Sequence, residues 1–383
     1  MGNLRDNPGA LLCVVGARPN YMKMAPLLRA FRSRADLPPA VLVHTGQHYD
    51  PMLNDRLFED LALPRPDINL GVGSGTHAVQ TAEVMRRFEP VVDEHQPSCV
   101  VVVGDVNSTL ACSLVASKKG VPVAHVEAGL RSFDRAMPEE INRILTDQIS
   151  DLLYTTERTA HANLAREGVP AERMHFAGNV MIDSLLFHRS RAVPAARTLQ
   201  AARAQFGADR YGVVTLHRPS NVDEPAALRA SLEILCEVSG RLPLVCALHP
   251  RTVARVEGFG FADMLRTGRI AVLPPQGYLE MLGLMADATL VLTDSGGMQE
   301  ETTALSVPCL TMRENTERPI TVEQGTNTLV GRDRALILRL VEEIAATGGK
   351  RGRTPELWDG RAAERIAAHL AGWLAARPMP LHA

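Results

Sequence analysis

Residues 288–313, "ATLVLTDSGGMQEETTALSVPCLTMR", indicate how this chain is built. An apolar run ends before Asp294, a helical stretch follows two glycines, and a second apolar run begins after Pro308. Short runs that are apolar on both faces are typical of buried parallel strands. The segment therefore predicts a strand, a helix and a second parallel strand, with Gly296 and Gly297 placed to receive an anion where the helix begins.

The same alternation extends along the whole chain. The apolar runs of the first half are "LLCVVGAR", "AVLVHTG", "CVVVVGD", "VPVAHVEA" and "DLLYTTE", and those of the second half are "YGVVTLHR", "LVCALHP", "IAVLPP", "ATLVLTD" and "PCLTMR". Helical stretches separate them, which predicts an α/β fold class with parallel sheets covered by helices. We expect two Rossmann-like domains whose sheets face a cleft.

The domain boundary follows from where strand character is lost. The chain becomes rich in Ala and Arg from about Ala192. We therefore place an amino-terminal domain at residues 1–185 and a carboxyl-terminal domain at residues 186–354. Residues 355–377 are expected to form a helix that joins the first domain, with Thr354 as its N-cap and Pro355 at its first position.

Composition excludes several classes of function. The 383 residues carry a net charge of −2 and only 4% aromatic residues, which argues against a nucleic-acid partner. No apolar run approaches membrane-spanning length, and the first residues resemble no signal peptide. Six cysteines without a CxxC pair indicate buried free thiols in a reducing compartment. We expect a cytoplasmic protein without membrane insertion.

Polar residues follow many of the predicted strands, at the edge where parallel sheets bind ligands. They are Arg18, Lys23, Asp105, Glu127, His217, Asp294 and Ser295, with Arg318 after the last strand. Other roles stay open for some of them. Arg18 and Lys23 could be solvated, Asp105 could cap a helix, and His217 could be a core histidine. A favourable charge at a helix N-terminus could explain one of Glu139 and Glu140. His44 and His48 suggest a metal pair only weakly, because no third ligand is evident.

Six motifs together resemble the non-hydrolysing UDP-N-acetylglucosamine 2-epimerases. They are "GARPNYMKMAP", "GDVNSTLA", "HVEAGLRS", "PEEINR", "DSGGMQEE" and "RENTERPITVEQGTN", in order between about Leu12 and Gly331. The resemblance implies the glycosyltransferase-B fold, a UDP-sugar substrate, a homodimer, and neither NAD nor a metal as cofactor. The first strand turn, "GARPNYMK", also lacks the dinucleotide fingerprint. Epimerisation at carbon 2 would then proceed by elimination of UDP to a 2-acetamidoglucal and its re-addition.

The resemblance also assigns roles to residues. The catalytic set is Asp105, Glu127, Glu139, His217 and Lys23. The substrate-binding set is Arg18, Arg143, Gln276, Met281, Ser295, Gly296, Gly297, Glu301 and Arg318. Arg143 would support the carboxylates, Gln276 and Met281 would lie near the uracil, and Glu301 would accept the ribose hydroxyls.

Two loops differ from the commoner versions in the family. Asp50 and Ala247 stand at positions where other residues help to bind an activating second UDP-sugar in some members, so allosteric activation is doubtful. Three alternatives stay open, namely a hydrolysing 2-epimerase, a 2-epimerase of a UDP-2,3-diacetamido uronic acid, and a glycosyltransferase.

The acids around the two glycines have separate expected tasks. Glu301 lies one helical turn beyond Gly297 and would face the ribose. Glu300 is expected to point elsewhere and only to favour the helix N-terminus. Asp294 is expected to hold the loop, and the absent side chains of Gly296 and Gly297 to let the phosphates come close.

Overall fold

The computed structural model describes residues 9–47, 57–200, 210–266 and 268–377. Within them the chain forms two compact units, which are described separately. The first unit comprises the described residues up to Phe187 together with those from Glu356 onward, and the second spans His188–Pro355. Each is built on a parallel sheet with helices between its strands, which confirms the α/β class.

The first unit has a seven-stranded sheet in the order β3-β2-β1-β4-β5-β6-β7. Its strands are β1 (Leu11–Val15), β2 (Ala40–His44), β3 (Ile68–Asn69), β4 (Cys99–Val103), β5 (Val123–Ala128), β6 (Leu152–Thr155) and β7 (Met174–Phe176). Its helices are α1 (Arg18–Arg32), α2 (His77–His95), α3 (Asn107–Lys118), α4 (Pro138–Ile149), α5 (Arg158–Arg166) and α6 (Val180–His188), whose last residue opens the second unit.

The second unit has a six-stranded sheet in the order β10-β9-β8-β11-β12-β13. Its strands are β8 (Gly212–Thr215), β9 (Leu244–Ala247), β10 (Ile270–Leu273), β11 (Leu290–Thr293), β12 (Cys309–Thr311) and β13 (Asn327–Leu329). Its helices are α7 (Ala195–Thr198), α8 (Pro219–Val222), α9 (Pro225–Arg241), α10 (Pro250–Gly258), α11 (Ala262–Arg266), α12 (Tyr278–Ala286), α13 (Gly296–Leu305), α14 (Pro319–Glu323) and α15 (Arg334–Thr347).

Burial explains why the central strands were recognisable. Every residue of β4, "CVVVV", is buried, as is every residue of β1, "LLCVV". A parallel strand that is covered on both faces has no solvent side, so its sequence is continuously apolar. All observed strand pairs are parallel, as predicted.

Strand order also fixes where ligands are expected. In the first sheet the chain runs outward in both directions from the pair β1 and β4, and in the second sheet from the pair β8 and β11. At such a switch point the connections leave on opposite sides and open a crevice at the carboxyl ends of the strands. We therefore expect a ligand-binding site at the loops that follow these four strands.

The carboxyl-terminal helix begins later than predicted. It is α16 (Ala362–Ala375), so the expected start at Pro355 is wrong. The intervening backbone adopts positive φ at Leu357 (59°) and Gly360 (81°), which is incompatible with a right-handed helix. Asp183 of α6 accepts the N–H groups of Ala362 and Ala363 at 3.1 and 2.7 Å and so caps the helix from outside.

Two further features concern the class of the protein. All six cysteines are free and five are buried, as expected, while Cys236 is half-buried. Among the described residues, no helix combines the length and the apolarity that crossing a bilayer requires.

Candidate functional site

A buried ion pair lies after the first and fifth strands. Lys23 of α1 places its Nζ 2.6 Å from Glu127 Oε1, and both side chains are almost fully buried. A Cβ added at Gly104, whose φ is +67°, would lie 3.0 Å from Lys23 Nζ and 3.8 Å from Glu127 Oε1. The glycine therefore lets the β4 loop approach the pair closely. Lys23 is not a solvated surface residue.

Glu127 sits in a strained backbone. Its φ of 72° lies in the left-handed region, and the pairing of β5 with β6 shifts between Val126 and Ala128. A residue with a Cβ adopts this conformation at a cost of about 1–3 kcal/mol, and such residues concentrate at functional sites. The bulge directs the Glu127 carboxylate toward Lys23.

Asp105 is held by α4 rather than acting as a helix cap. Arg143 Nη2 donates to Asp105 Oδ2 at 2.5 Å, and Asn142 Nδ2 donates to the Asp105 carbonyl at 2.9 Å. The N-cap of α3 is Val106, without a side-chain cap hydrogen bond. The Asp105 side chain keeps 23% of its surface exposed, so it can reach a ligand. The capping alternative for Asp105 is therefore wrong.

Arg143 also pairs with Glu140, which is buried. The Glu140 carboxylate in turn accepts the backbone N–H groups of Ser132 and Phe133 at 3.0 and 2.8 Å. Glu139 lies in the first turn of α4, half-buried and one turn before Arg143. Of the two neighbouring acids, Glu140 fixes the structure, and Glu139 remains half-buried in the first turn of α4.

Asn20 was not predicted as a site residue, although it stands in the "GARPNYMK" motif. Its Oδ1 accepts the N–H groups of Gly16 and Ala17, each at 3.1 Å, and its Nδ2 donates to the Val103 carbonyl at 2.9 Å. It thus ties the β1 loop to the end of β4. Arg18 is half-buried at the first position of α1.

The suggested histidine pair has no support as a metal site. His44 Nε2 lies 2.5 Å from the Tyr21 hydroxyl, and burial lowers the pKa of His44. His48 lies outside the described residues, as does Asp50. Within the described ranges no three His, Cys, Asp or Glu side chains are grouped as a metal site would require.

In the second unit, Asp294 at the end of β11 holds the loop after β8. It accepts the N–H groups of His217 and Arg218 at 3.0 and 2.9 Å and the Asn221 amide at 3.1 Å. Burial acts to raise the pKa of Asp294, but the bonds from His217 and its neighbours outweigh it and hold that pKa below its usual range. Asp294 therefore fixes the loop after β8.

His217 is not a core histidine. Its Nδ1 lies 2.9 Å from Asp294 Oδ1, and 39% of its side chain is exposed. Because the carboxylate fixes Nδ1, the other ring nitrogen is free to face a ligand. The alternative of a satisfied core residue is therefore wrong.

The N-terminus of α13 is open to an anion. Ser295 is the N-cap but makes no side-chain cap hydrogen bond, and the first turn contains no acidic residue. Ser295 and Gly297 are half-buried and reachable. Unsatisfied N–H groups and the positive end of the helix dipole, equivalent to about half an elementary charge, favour a phosphate here.

One expectation near this helix is wrong, and one contact was not predicted. A Cβ at Gly296 would meet Glu317 Oε1 at 2.5 Å and Arg318 Nη1 at 2.6 Å, so its missing side chain makes room for this pair, which was not predicted. Glu300 does more than favour the helix N-terminus: it is 1% exposed and its Oε2 lies 2.9 Å from Arg318 Nε. Tertiary packing of the loop after β12 explains both differences.

The predicted nucleotide contacts occupy the rest of this edge. Glu301 is buried beside the Tyr278 hydroxyl, and burial raises its pKa to about 8. Gln276 Nε2 donates to the Pro274 carbonyl at 2.6 Å. Met281 is half-buried and packs against the apolar cluster behind α12. The geometry suits a diphosphate at α13 and hydroxyls at Glu301.

Comparison with known proteins gives consistent similarities. A family model described as UDP-N-acetylglucosamine 2-epimerase matches residues 30–371. The UDP-N-acetylglucosamine 2-epimerase of Methanocaldococcus jannaschii is 42% identical over 364 residues, which cover 93% of this chain and 97% of that protein. The UDP-2,3-diacetamido-2,3-dideoxy-D-glucuronate 2-epimerase of Pseudomonas aeruginosa is 41% identical over 367 residues, which cover 94% and 99%.

A solved structure is also similar. The crystal structure of the Methanocaldococcus jannaschii enzyme in complex with UDP-GlcNAc and UDP aligns with a TM-score of 0.86 at 41% identity. The alignment covers 95% of this chain and 99% of that chain.

Proposed function

Because the chain belongs to the UDP-N-acetylglucosamine 2-epimerase family, we propose that it interconverts UDP-N-acetylglucosamine and UDP-N-acetylmannosamine by inverting carbon 2. The protein is thus an isomerase. The observation that carries the proposal is the pairing of carboxylates with cations at neighbouring strand ends, Asp105 with Arg143 and Glu127 with Lys23.

The chemistry calls for such groups. The proton on carbon 2 is not adjacent to a carbonyl and is not acidic in the ground state. When the C1–O bond breaks and UDP leaves with the electron pair, positive charge develops at carbon 1 and acidifies that proton. A carboxylate removes it, and a C1–C2 double bond forms in a 2-acetamidoglucal. Protonation from the opposite face and return of UDP give the epimer.

In the first unit we assign the acid and base work to Asp105, Glu127 and Glu139. Asp105 is partly exposed, while Glu127 is enclosed and shares a hydrogen bond with Lys23. Two carboxylates in different environments suit the two proton transfers of the reaction. Arg143 supports Asp105, and Arg18 is proposed as a contact to the nucleotide.

In the second unit we assign the leaving group to α13. Ser295, Gly296 and Gly297 would offer N–H groups to the diphosphate, which would stabilise the charge that develops as UDP departs. His217 would face the same ligand through Nε2. Glu301 would accept the ribose hydroxyls, Arg318 would border the diphosphate, and Gln276 with Met281 would adjoin the uracil.

The test is isotope exchange at carbon 2. The protein is incubated in heavy water with UDP-N-acetylglucosamine and followed by proton NMR. We expect deuterium at carbon 2 and a mixture of both UDP-sugars. Release of free N-acetylmannosamine would instead support a hydrolysing enzyme. Sugar transfer to an acceptor without exchange would support a glycosyltransferase.

A second substrate has a specific observation in its favour. The Pseudomonas aeruginosa relative that acts on a UDP-diacetamido glucuronate is almost as similar as the Methanocaldococcus jannaschii one. The same exchange experiment with the uronate decides between them. Exchange with the uronate alone would identify the UDP-diacetamido glucuronate as the substrate, and exchange with neither sugar would refute the proposal.

The carboxylate assignment is tested by Asp105→Asn. This variant keeps the shape but removes the base, so we expect exchange to fall by a factor of about 10²–10⁴ while UDP affinity, measured by calorimetry, stays unchanged. Asp36→Asn, at an exposed surface ion pair with Arg34, is the matched control and should exchange normally. Near-normal turnover of Asp105→Asn would contradict the assignment.

We propose a homodimer in the cytoplasm as the working state. Two observations support it. Val79 of α2 and Leu145 of α4 expose 57% and 45% of their surfaces on helices that both pack against α3. The free cysteines also suit a reducing compartment. Sedimentation at micromolar concentration should show a dimer, and a monomer would refute the first part. Cell fractionation tests the second.

A further inference from the structure

His125 lies in the "HVEAGLRS" motif, but none of the roles above uses it. It stands on β5 and its side chain is fully buried. Its Nε2 lies 2.8 Å from the Gly104 carbonyl oxygen, and its Nδ1 lies 2.7 Å from Asp147 Oδ1. One side chain thus connects β5, the end of β4 and helix α4.

Both ring nitrogens face hydrogen-bond acceptors. The Gly104 carbonyl has no hydrogen to give, so Nε2 must donate to it. The other Asp147 oxygen accepts the Gly129 N–H at 3.0 Å and Arg131 Nη2 at 2.7 Å. The ion pair with Arg131 holds Asp147 as a carboxylate, which has no hydrogen to give, so Asp147 accepts and Nδ1 donates. A neutral imidazole has only one N–H, so donating from both ring nitrogens requires an imidazolium at His125.

The charges around His125 are balanced. Asp147 faces it from α4, and Arg131 approaches the same carboxylate from the loop after β5. Glu167, just after α5, neutralises Arg131 at 2.6 Å. Across Gly104 lies the ion pair of Lys23 and Glu127, which is neutral as a whole. A cation on His125 is therefore matched by one anion, as a buried charge requires.

The position of these bonds gives His125 a task. The Gly104 carbonyl belongs to the peptide that precedes Asp105, so the His125 bond fixes that peptide plane. The peptide that follows Asp105 is held by Asn142, and the carboxylate is held by Arg143. Asn142, Arg143 and the partner of His125, Asp147, all belong to α4.

We propose that His125 is a doubly protonated positioning residue, which holds the Asp105 loop in register with Glu127 by joining the Gly104 carbonyl to Asp147. The role in catalysis rests on the proposed function, whereas the protonation state does not. In this role His125 touches no reacting atom and acts through Asp105. Its effect on catalysis follows because an acid or base must be placed within a fraction of an ångström of its substrate.

The protonation state is measured directly on the full chain labelled with ¹⁵N-histidine. Long-range proton–nitrogen NMR should show both His125 ring nitrogens protonated in the folded wild type, because each donates to an acceptor. Asp147→Asn assigns the signal, because without the carboxylate Nδ1 should lose its proton. An unprotonated nitrogen in the wild type at about pH 8 overturns the proposal.

The positioning role is measured with His125→Gln. We expect kcat for carbon 2 exchange to fall about 100-fold, while KM and the UDP dissociation constant change by no more than about twofold. His369→Gln, on α16 beside the Tyr154 hydroxyl, is the matched control and should keep normal exchange. Unchanged kcat in folded His125→Gln overturns the proposal, as does a rise in KM alone.

These experiments distinguish a failure of the proposed function from a failure of the proposal for His125. If the wild type exchanges carbon 2 of no UDP-sugar, the proposed function fails, and the NMR result still decides the protonation of His125. If His125→Gln loses its thermal unfolding transition, Asp147→Asn carries the kinetic test. It should show the same loss of kcat at unchanged UDP affinity, and normal kcat would overturn the proposal.

Discussion

Replacing Gly296 by alanine tests the packing at the start of α13. The new Cβ would lie 2.5 Å from Glu317 Oε1 and 2.6 Å from Arg318 Nη1. Ordinary contact begins near 3.4 Å, so the pair must move by about 0.9 Å. It cannot swing aside freely, because both side chains are buried and Arg313 Nη2 also holds Glu317 at 2.7 Å.

Two known ranges bound the free energy of unfolding that Gly296→Ala should lose. Overfilling a packed site costs about 1–3 kcal/mol, and breaking a buried ion pair outright costs about 3–5 kcal/mol. Gly296→Ala displaces the pair without deleting either partner, so we expect a loss of about 2 kcal/mol in the unfolding free energy of the second unit. UDP affinity should fall about tenfold, since the N–H groups of α13 and Arg318 lose their register.

The assay is hydrogen exchange of peptides from α13 and β12, combined with calorimetry of UDP binding. Gly240→Ala in α9 is the matched control: nothing lies within 4 Å of its added Cβ, so it should stabilise its helix by about 0.5–1 kcal/mol. If α13 in Gly296→Ala is as protected from hydrogen exchange as in the wild type, and the variant binds UDP normally, the packing of Glu317 and Arg318 against this glycine is refuted.

Three further perturbations have defined outcomes. Burial raises the pKa of Glu301 from 4.5 to about 8. The unfolded chain therefore releases this proton at a lower pH than the folded chain does, so the free energy of unfolding should fall as pH rises between those values. Urea unfolding of Glu301→Gln should show a smaller fall, and parallel pH profiles of the two proteins would contradict this. Asp183→Ala uncaps α16 and should cost about 1–2 kcal/mol, read by tryptophan fluorescence, because both tryptophans, Trp358 and Trp373, lie at that end of the chain; no change would exclude the cap. Lys23→Met leaves a buried carboxylate without its cation, so exchange at carbon 2 should vanish and stability fall by about 3–5 kcal/mol while UDP binding persists; retained exchange would contradict the role of the pair.

The sequence predicted the central strands well, because burial on both faces makes them continuously apolar. All ten predicted runs contain an observed strand. The three that were missed, β3, β7 and β13, are two or three residues long at sheet edges. Runs of that length carry no periodicity, and their neighbours decide whether they pair. The start of α16 was misplaced for a similar reason, since its cap comes from Asp183 on α6.

Residues of the candidate site were predictable from the sequence where they directly follow a predicted strand. Residues after β1, β4, β5, β8 and β11 do gather polar contacts at the expected edges. What the sequence could not reveal were partners far apart in the chain. Glu300 meets Arg318, and the space beside Gly296 is filled by Glu317. Such contacts depend on how loops fold over each other, and no local pattern encodes them.

The discontinuity of the first unit has a consequence for synthesis. Its last segment, residues 356–377, packs against its first helix, and Trp358 donates from Nε1 to the Thr156 carbonyl. A ribosome completes residues 188–355 before this segment emerges, so the second unit can mature while the first still lacks its closing helix. A nascent chain paused near residue 355 would leave α1 uncovered. The part of the protein that is made first is therefore the last to be finished.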